Sequence, residues 1–465
     1  MTETPRTYFI HTFGCQMNVA DSLGYARTLE GLGLARAESE ESSDLLVVNT
    51  CSVREKAEEK AVSYIGRLSG MRAEYRKITG RPALGGIVFV GCMATVRGDE
   101  ILRRFGDVKV IVPAREIELF EERLIFKWPD LARSKRDIGE FPLLRPEERY
   151  ERFVLIIRGC INHCTYCIVP AARGDYLESV APGILFDETA SLIESGVLSI
   201  TFLGQNVNAY GSDIAPKKSA GWENFRDGYG FAEFLSDIRD RFADTGAWFK
   251  FLTSHPKDLT PELIDVVASH ECFSRHLHLP VQAGDDEVLE RMGRVYTSSQ
   301  YLAKIEMIRE KIPDIRLSTD VIVGFPGEDE TAFENTLSLF RKVGFDAAFT
   351  FLYSTRKGTP AEKWAGPVPR DVKKARLQKL IELQNRITFE KAKSKVGELR
   401  TVLVEGQSAQ SSRRDENSGG IEMVAGRTRD EEVVILPGTK ADFGTRVKVK
   451  LIGAKLRSFT GERID

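Results

Sequence analysis

Seven cysteines stand in 465 residues, and three of them, Cys160, Cys164 and Cys167, fall within the nine residues GCINHCTYC. A loop that turns tightly just past a strand can aim three such thiols at one centre. Structural zinc asks for four closed ligands, commonly as two separated pairs, and fits less well; His163 would have to double back to serve as the fourth. An iron–sulfur cluster held by three thiolates leaves one iron open to chelate a substrate or cofactor. A redox or buried thiol cluster is the plainer alternative. Cys15 follows YFIHTFG, Cys51 follows LLVVNT and Cys92 follows IVFVG, so each sits just past a strand-like run. The C-terminal ends of parallel strands share one edge, where open α/β sheets bind ligands, so these distant thiols are expected to meet as a second cluster site. Cys272, in SHECFSRH, has no sequence partner and is expected to be a packing residue.

The elements that must position these thiols follow from patterning. From Thr7 to about Pro129, β-branched runs (TYFIHTFG, LLVVNT, IVFVG, VKVIV) alternate with helical stretches such as 20–34 and 53–76, the pattern of an open parallel α/β sheet over residues 1–130. A charged linker covers 131–150. Residues 151–369 hold six further strand and helix units, too few for eight, and predict a partial barrel with its site at the C-terminal strand ends. The loop 211–230 reads as long and polar. A basic helical connector, 370–395, leads to short strands and turns over 396–465 that predict a small β-barrel. The fold class is therefore α/β with an appended β-barrel.

Composition sets the class. Apolar residues make up 42% and charged residues 29%, the balance of a globular chain with a sizeable core. The N-terminus MTETPRTYFI has no basic start before an apolar run, and no stretch is long and apolar enough for a membrane span, so a cytoplasmic protein without a membrane partner is expected. In that reducing compartment clustered cysteines are metal ligands or catalytic thiols more often than disulfides. A net charge of −2 leaves any nucleic-acid contact to a local patch. The zinc-protease, phosphate-loop and serine-elbow motifs are absent from the sequence, and its six histidines form no evident group.

C-x3-C-x2-C with Tyr166 before the last cysteine resembles the radical S-adenosylmethionine (SAM) enzymes. Three further scattered cysteines ahead of it are similar to the methylthiotransferase family. GCQMN (14–18), NTCSVREKA (49–57), GCMA (91–94), LGQNVNAYG (203–211) and LPVQAGDDEVLERMGRVYT (279–297) resemble the tRNA-modifying MiaB type. The branch acting on a ribosomal protein aspartate reads GCPKN and NTCGF at the first two places, and the threonylcarbamoyl-adenosine branch reads nearer to GCKVN.

The resemblance implies two four-iron clusters, one on Cys160, Cys164 and Cys167 that binds SAM, and an auxiliary one on Cys15, Cys51 and Cys92. SAM would serve as radical initiator and methyl donor, and the product would be the 2-methylthio derivative of N6-dimethylallyladenosine beside the anticodon of tRNA. For the cofactor the resemblance implies Tyr166, Gly204, Gln205, Asn206, Gly324 and Glu328. Flavodoxin or ferredoxin is the implied class of electron donor. The C-terminal barrel resembles the TRAM RNA-binding module, with Arg413, Arg414, Arg427, Arg429, Lys448, Lys450 and Arg457 as phosphate contacts. After CIVP this chain reads AARGDYLESV where the family commonly has a basic stretch near YTRGRERSR, and it keeps Arg173 and Gly174 alone, which leaves an RNA contact there unsupported. Alternative readings are methylthiolation of a ribosomal protein aspartate or of threonylcarbamoyladenosine and, from another class, a non-catalytic iron–sulfur or zinc protein that binds RNA.

Overall fold

The computed structural model describes residues 4–52, 55–79, 85–136, 150–214, 221–223, 225–408 and 422–464. Most of the expected linker, together with Arg413 and Arg414, lies outside the described residues. The chain divides into two compact units: residues 1–143 with 158–178 and 356–359, and residues 144–157 with 179–355 and 360–465.

In the first unit, strands β1 (Thr7–Phe13), β2 (Ala35–Arg36), β3 (Leu45–Thr50), β4 (Gly86–Gly91) and β5 (Val108–Pro113) form a parallel sheet in the order β2-β1-β3-β4-β5. Helices α1 (Gln16–Gly31) and α4 (Phe120–Lys127) cover one face, where Tyr25, Leu29, Phe120 and Trp128 pack on Val47, Val88 and Val90. Helices α2 (Glu55–Thr79) and α3 (Cys92–Arg104) cover the other, where Ile65, Met93 and Ile101 pack on Val48, Ile87 and Phe89. Both faces being covered, the central strands LLVVNT and GIVFVG are buried along their whole length, which is why they read as unbroken apolar runs. The two-residue β2 is too short to leave a sequence pattern, and α1 starts at Gln16 rather than the expected Ala20 because Cys15 is its N-cap.

The segment returned to this unit holds the cysteine loop and the short helix α5 (Val169–Arg173), with short strands β7 (Ile157–Arg158) and β8 (Glu178–Ser179) at its ends.

Among the described residues of the second unit, six strands form two parallel sheets. One has the order β10-β9-β6, from β6 (Glu151–Leu155), β9 (Ser199–Leu203) and β10 (Trp248–Phe251); the other has β11 (His276–His278), β12 (Arg316–Val323) and β13 (Ala347–Leu352) in sequence. A parallel bridge from Phe249 to Phe273 joins them, giving the partial barrel expected. Helices α6 (Pro182–Glu194), α7 (Phe231–Phe242), α8 (Pro261–Ser269), α9 (Asp286–Arg291), α10 (Ser298–Lys311) and α11 (Glu330–Val343) alternate with the strands. The 211–230 loop is less polar than its sequence suggested: Trp222 packs 5.6 Å from Tyr210 and Phe225 4.8 Å from Tyr229, ring centre to ring centre. Helix α12 (Arg370–Ser394) leads to a closed barrel of β14 (Leu399–Gln407), β15 (Met423–Thr428), β16 (Val433–Pro437), β18 (Phe459–Arg463) and β17 (Arg446–Ala454), filled by Val402, Val404, Val424, Leu436, Val449 and Leu451.

Candidate cluster and cofactor sites

Strand register gathers the N-terminal cysteines. Phe13 pairs with Thr50, and Thr50 with Gly91, so the strands end in one row and Cys15, Cys51 and Cys92 follow directly past it. The order β2-β1-β3-β4-β5 changes direction between β1 and β3, the crevice at which open α/β sheets take ligands, and Cys15 and Cys51 flank it. The surrounding sequence locks this edge. Asn18 Nδ2 donates to Asn49 Oδ1 at 2.8 Å, Asn49 Nδ2 returns a bond to the Asn18 carbonyl at 2.8 Å, and the Cys51 N–H reaches the Phe13 carbonyl at 2.8 Å. A side chain on Gly91, which holds φ +94°, would meet the Thr50 carbonyl at 2.4 Å, so this strand end admits glycine alone.

The electrostatics suit thiolates. Cys15 caps α1 and Cys92 opens α3, so both stand where helix N–H groups favour negative charge. Cys15 is lowered to about 6, first by a hydrogen bond with Cys51 and against the effect of burial, with Arg173 assisting. Cys92 moves the other way: burial raises it, and Arg173 opposes that rise. Arg173 Nε donates to Cys92 Sγ at 3.1 Å and its Nη2 to Asp21 Oδ2 at 2.8 Å; Arg158 holds the other Asp21 oxygen at 3.1 Å.

The second set lies in the loop after β7. Gly159 holds φ +79°, and a Cβ there would come within 1.8 Å of the Tyr176 carbonyl. Cys167 N–H bonds the Cys164 carbonyl at 2.9 Å, and Val169 N–H donates to Cys167 Sγ at 3.4 Å. Cys164 is buried, while Cys160, Cys167 and Tyr166 are partly exposed. His163 is exposed and faces Asp175 at 3.4 Å, a placement that leaves the three cysteines as the loop's ligand candidates. None of the seven cysteines is in a disulfide, and Cys272 is buried in the second unit, as its sequence context suggested.

In the second unit the strand ends carry buried polar atoms without partners among the described residues. They include Gln205 Oε1 and Nε2, Asn206 Oδ1, both amide atoms of Asn208, Ser254 Oγ and His255 Nε2. Asn206 Nδ2 is fixed on Asp258 at 2.6 Å, and the Val207 N–H bonds the Thr253 carbonyl at 3.1 Å, which brings the β9 and β10 ends together. Thr253 and Gln282, past β10 and β11, hold φ of +74° and +72°, strained for residues with side chains. Gly204 packs where a Cβ would meet Ile157 Cγ2 at 2.4 Å. Sequence reading missed Ser254 and His255; the histidine count hid a residue whose Nδ1 accepts the Lys257 N–H at 3.2 Å, so that Nε2 carries the ring proton.

The basic residues of the C-terminal barrel divide. Arg427 binds Glu405 at 2.8 Å, and Arg429 binds Asp430 at 3.1 Å and the Glu271 carbonyl at 2.7 Å, so both serve contacts inside the unit. Lys448, Lys450 and Arg457 are exposed.

The chemistry of the donors, two sets of three free cysteines, fits iron–sulfur clusters, which Cys thiolates hold. Among the described residues no three His, Cys, Asp or Glu side chains are close enough to share one metal ion. The unpartnered amides and hydroxyl at the strand ends are groups that a polar cofactor such as SAM would satisfy.

Residues 7–113 match a family described as Uncharacterized protein family UPF0004, and residues 154–340 the Radical SAM superfamily. A tRNA-2-methylthio-N(6)-dimethylallyladenosine synthase of Clostridium botulinum (strain Okra / Type B1) is 40% identical over 98% of this chain and 97% of its own. Its namesake in Carboxydothermus hydrogenoformans is 40% identical over 98% and 99%, and that of Desulfitobacterium hafniense 37% over 99% and 98%. Among solved structures, the radical S-adenosylmethionine methyltransferase TsrM of Kitasatospora setae, with cobalamin and a [4Fe-4S] cluster bound, shares the fold at a TM-score of 0.54, with 15% identity and 77% of each chain covered. Among the described residues no helix is long and apolar enough to cross a membrane. With its cysteines at the strand ends and these relatives matching nearly end to end, the chain belongs to the tRNA-2-methylthio-N(6)-dimethylallyladenosine synthase family of radical SAM enzymes.

Proposed function

We infer that the protein is a tRNA methylthiotransferase that attaches a methylthio group to C2 of N6-dimethylallyladenosine beside the anticodon. The observation that carries this is the alignment of Cys15, Cys51 and Cys92 past one row of strand ends, in a chain that also holds the C-x3-C-x2-C loop. One three-thiol set per cluster leaves each cluster an open iron, and two clusters suit a reaction that both activates a carbon and delivers sulfur. With its clusters and SAM bound, the enzyme has the radical chemistry and the methyl donor that the reaction needs.

The chain's own residues bind, orient and exclude water. Cys160, Cys164 and Cys167 hold the SAM cluster, and Cys15, Cys51 and Cys92 the auxiliary one. Gln205 and Asn206 supply hydrogen bonds to the cofactor, for which their unpartnered side-chain atoms are suited. Gly204 and Gly324 keep the backbone low beside it, Glu328 shapes the turn after β12, and Tyr166 lies beside the adenine. Lys448, Lys450 and Arg457 of the TRAM-like barrel take tRNA phosphates, which orient the substrate without reading its sequence. We assign residues 1–130 to the auxiliary-cluster domain, 151–369 to the radical SAM barrel and 396–465 to RNA binding. The protein works in the cytoplasm and takes its electron from a flavodoxin or ferredoxin.

The test is an anaerobic assay of reconstituted protein with SAM, a reductant and tRNA bearing the dimethylallyl group, read by mass spectrometry of digested nucleosides. Wild type should yield the 2-methylthio nucleoside, and Cys15→Ala should cleave SAM without thiolated product. SAM cleavage by wild type with this tRNA unchanged would reject the substrate assigned.

A further inference from the structure

We propose that Arg173 is a positioning residue of the auxiliary cluster, donating a charge-assisted hydrogen bond to the thiolate of Cys92 and raising that cluster's reduction potential. The proposal rests on the reading of Cys15, Cys51 and Cys92 as cluster ligands.

Two directional bonds aim the guanidinium. Nε points at Cys92 Sγ at 3.1 Å, while Nη2 is held by Asp21 Oδ2 at 2.8 Å, and Arg158 fixes the second Asp21 oxygen at 3.1 Å. Arg173 is 6% exposed and Asp21 3%, so water competes little for either bond. The backbone is pinned as well. Thr95 Oγ1, on the helix that begins at Cys92, donates to the Ala172 carbonyl at 2.9 Å and accepts the Ala114 N–H at 2.9 Å. Helix α5 is thereby fastened beside α3, and Arg173 needs no rearrangement to reach the sulfur.

A bare ion pair with Asp21 would explain burial of the arginine but not the orientation of Nε toward sulfur. Hydrogen bonds to ligating sulfurs and nearby net charge are the levers by which a protein sets a cluster's potential. A cation beside a cluster favours the more negative, reduced form and so raises the potential. Arg173 also follows Cys167 by only six residues, so one short stretch of chain carries the last ligand of the SAM cluster and the counter-charge of the auxiliary cluster. Sequence reading treated this arginine as the remnant of a basic stretch; the structure turns it inward to Cys92.

The experiment uses the full chain with Cys160, Cys164 and Cys167 all changed to alanine, so that any cluster present is the auxiliary one. The protein is reconstituted anaerobically with iron and sulfide, and its midpoint potential is read by dye-mediated titration followed by EPR. Beside it run Arg173→Gln, which loses the charge, and Arg173→Lys, which keeps the charge without the planar fork. The glutamine variant should be displaced to a more negative potential, with lysine between it and the parent. Equal potentials in all three proteins overturn the proposal, as does loss of cluster loading or of the fold in both variants, since Arg173 is then a structural strut. If the parent with Arg173 intact takes up no cluster, it is the reading of the three cysteines as ligands that fails.

Discussion

Arg376 of α12 donates from Nη1 to Glu328 Oε1 at 2.9 Å and to the Glu328 carbonyl at 3.0 Å, while the same carboxylate oxygen accepts the Gly324 N–H at 3.0 Å. Glu328 therefore clamps the turn VIVGFPGE on which the glycines after β12 depend. Burial pushes its carboxyl up, and the Gly324 N–H and Arg376 pull it back. Removing one partner of a buried pair leaves the other uncompensated, at a cost of about 3–5 kcal/mol. Arg376→Ala should lose stability on that scale by urea unfolding, whereas the exposed Lys379→Ala, whose partner Glu334 is also exposed, should change it little. Equal effects of the two substitutions would contradict the clamp.

The unpartnered amide of Gln205 predicts opposite effects on stability and binding. Its Oε1 and Nε2 are buried without hydrogen bonds, so the side chain burdens the protein until a ligand satisfies it. Gln205→Leu should raise the melting temperature of the SAM-free protein and weaken SAM binding by roughly tenfold or more, the worth of one to two hydrogen bonds. Equilibrium dialysis and differential scanning calorimetry on one preparation check both signs. Tighter SAM binding by the leucine variant would remove Gln205 from the cofactor site.

Backbone at Gly159 makes a sharper case. With φ +79° and the Tyr176 carbonyl 1.8 Å from where a Cβ would stand, Gly159→Ala forces the cysteine loop to shift. Iron content after reconstitution should fall toward that of a one-cluster protein, because the sheet-edge cysteines do not depend on this turn. Gly183→Ala, where a Cβ meets nothing within 4 Å, should keep full iron content.

Much of this arrangement was legible because it rests on local patterns. LLVVNT and GIVFVG announce central parallel strands, and the cysteine after each is placed by the strand's own end. The strand register that aligns those ends is a property of the sheet, and the alternation of strands and helices was enough to expect it. Contacts spanning large sequence distances were not legible. Arg173 finds Asp21 across 152 residues and Cys92 across 81, and nothing in AARGD announces either. The pairing of Arg427 was equally hidden: its side chain stays on the outer, partly exposed side of β15, and the carboxylate that meets it, Glu405, stands on the neighbouring strand 22 residues earlier. Ser254 and His255 escaped because unpartnered polar atoms exist as a signal only in three dimensions.

Glu405 supplies a pH dependence. Its carboxyl is raised from 4.5 to about 7, first by burial, with Glu151 and Glu431 adding to the rise and Arg427 and Lys250 opposing it. Three carboxylates there share two cations, with Lys250 on Glu431 and Arg427 on Glu405. Between pH 4.5 and about 7 the folded protein keeps a proton that the unfolded chain releases, so this group's contribution to stability falls as pH rises through that window. Glu405→Gln abolishes that slope. The melting temperature of the variant relative to wild type should be more favourable at pH 8 than at pH 5, and Glu422→Gln, at an exposed position of the same barrel, should show no such trend. A difference between Glu405→Gln and wild type that stays constant from pH 5 to pH 8 would mean that Glu405 is ionised throughout, with Arg427 compensating it fully.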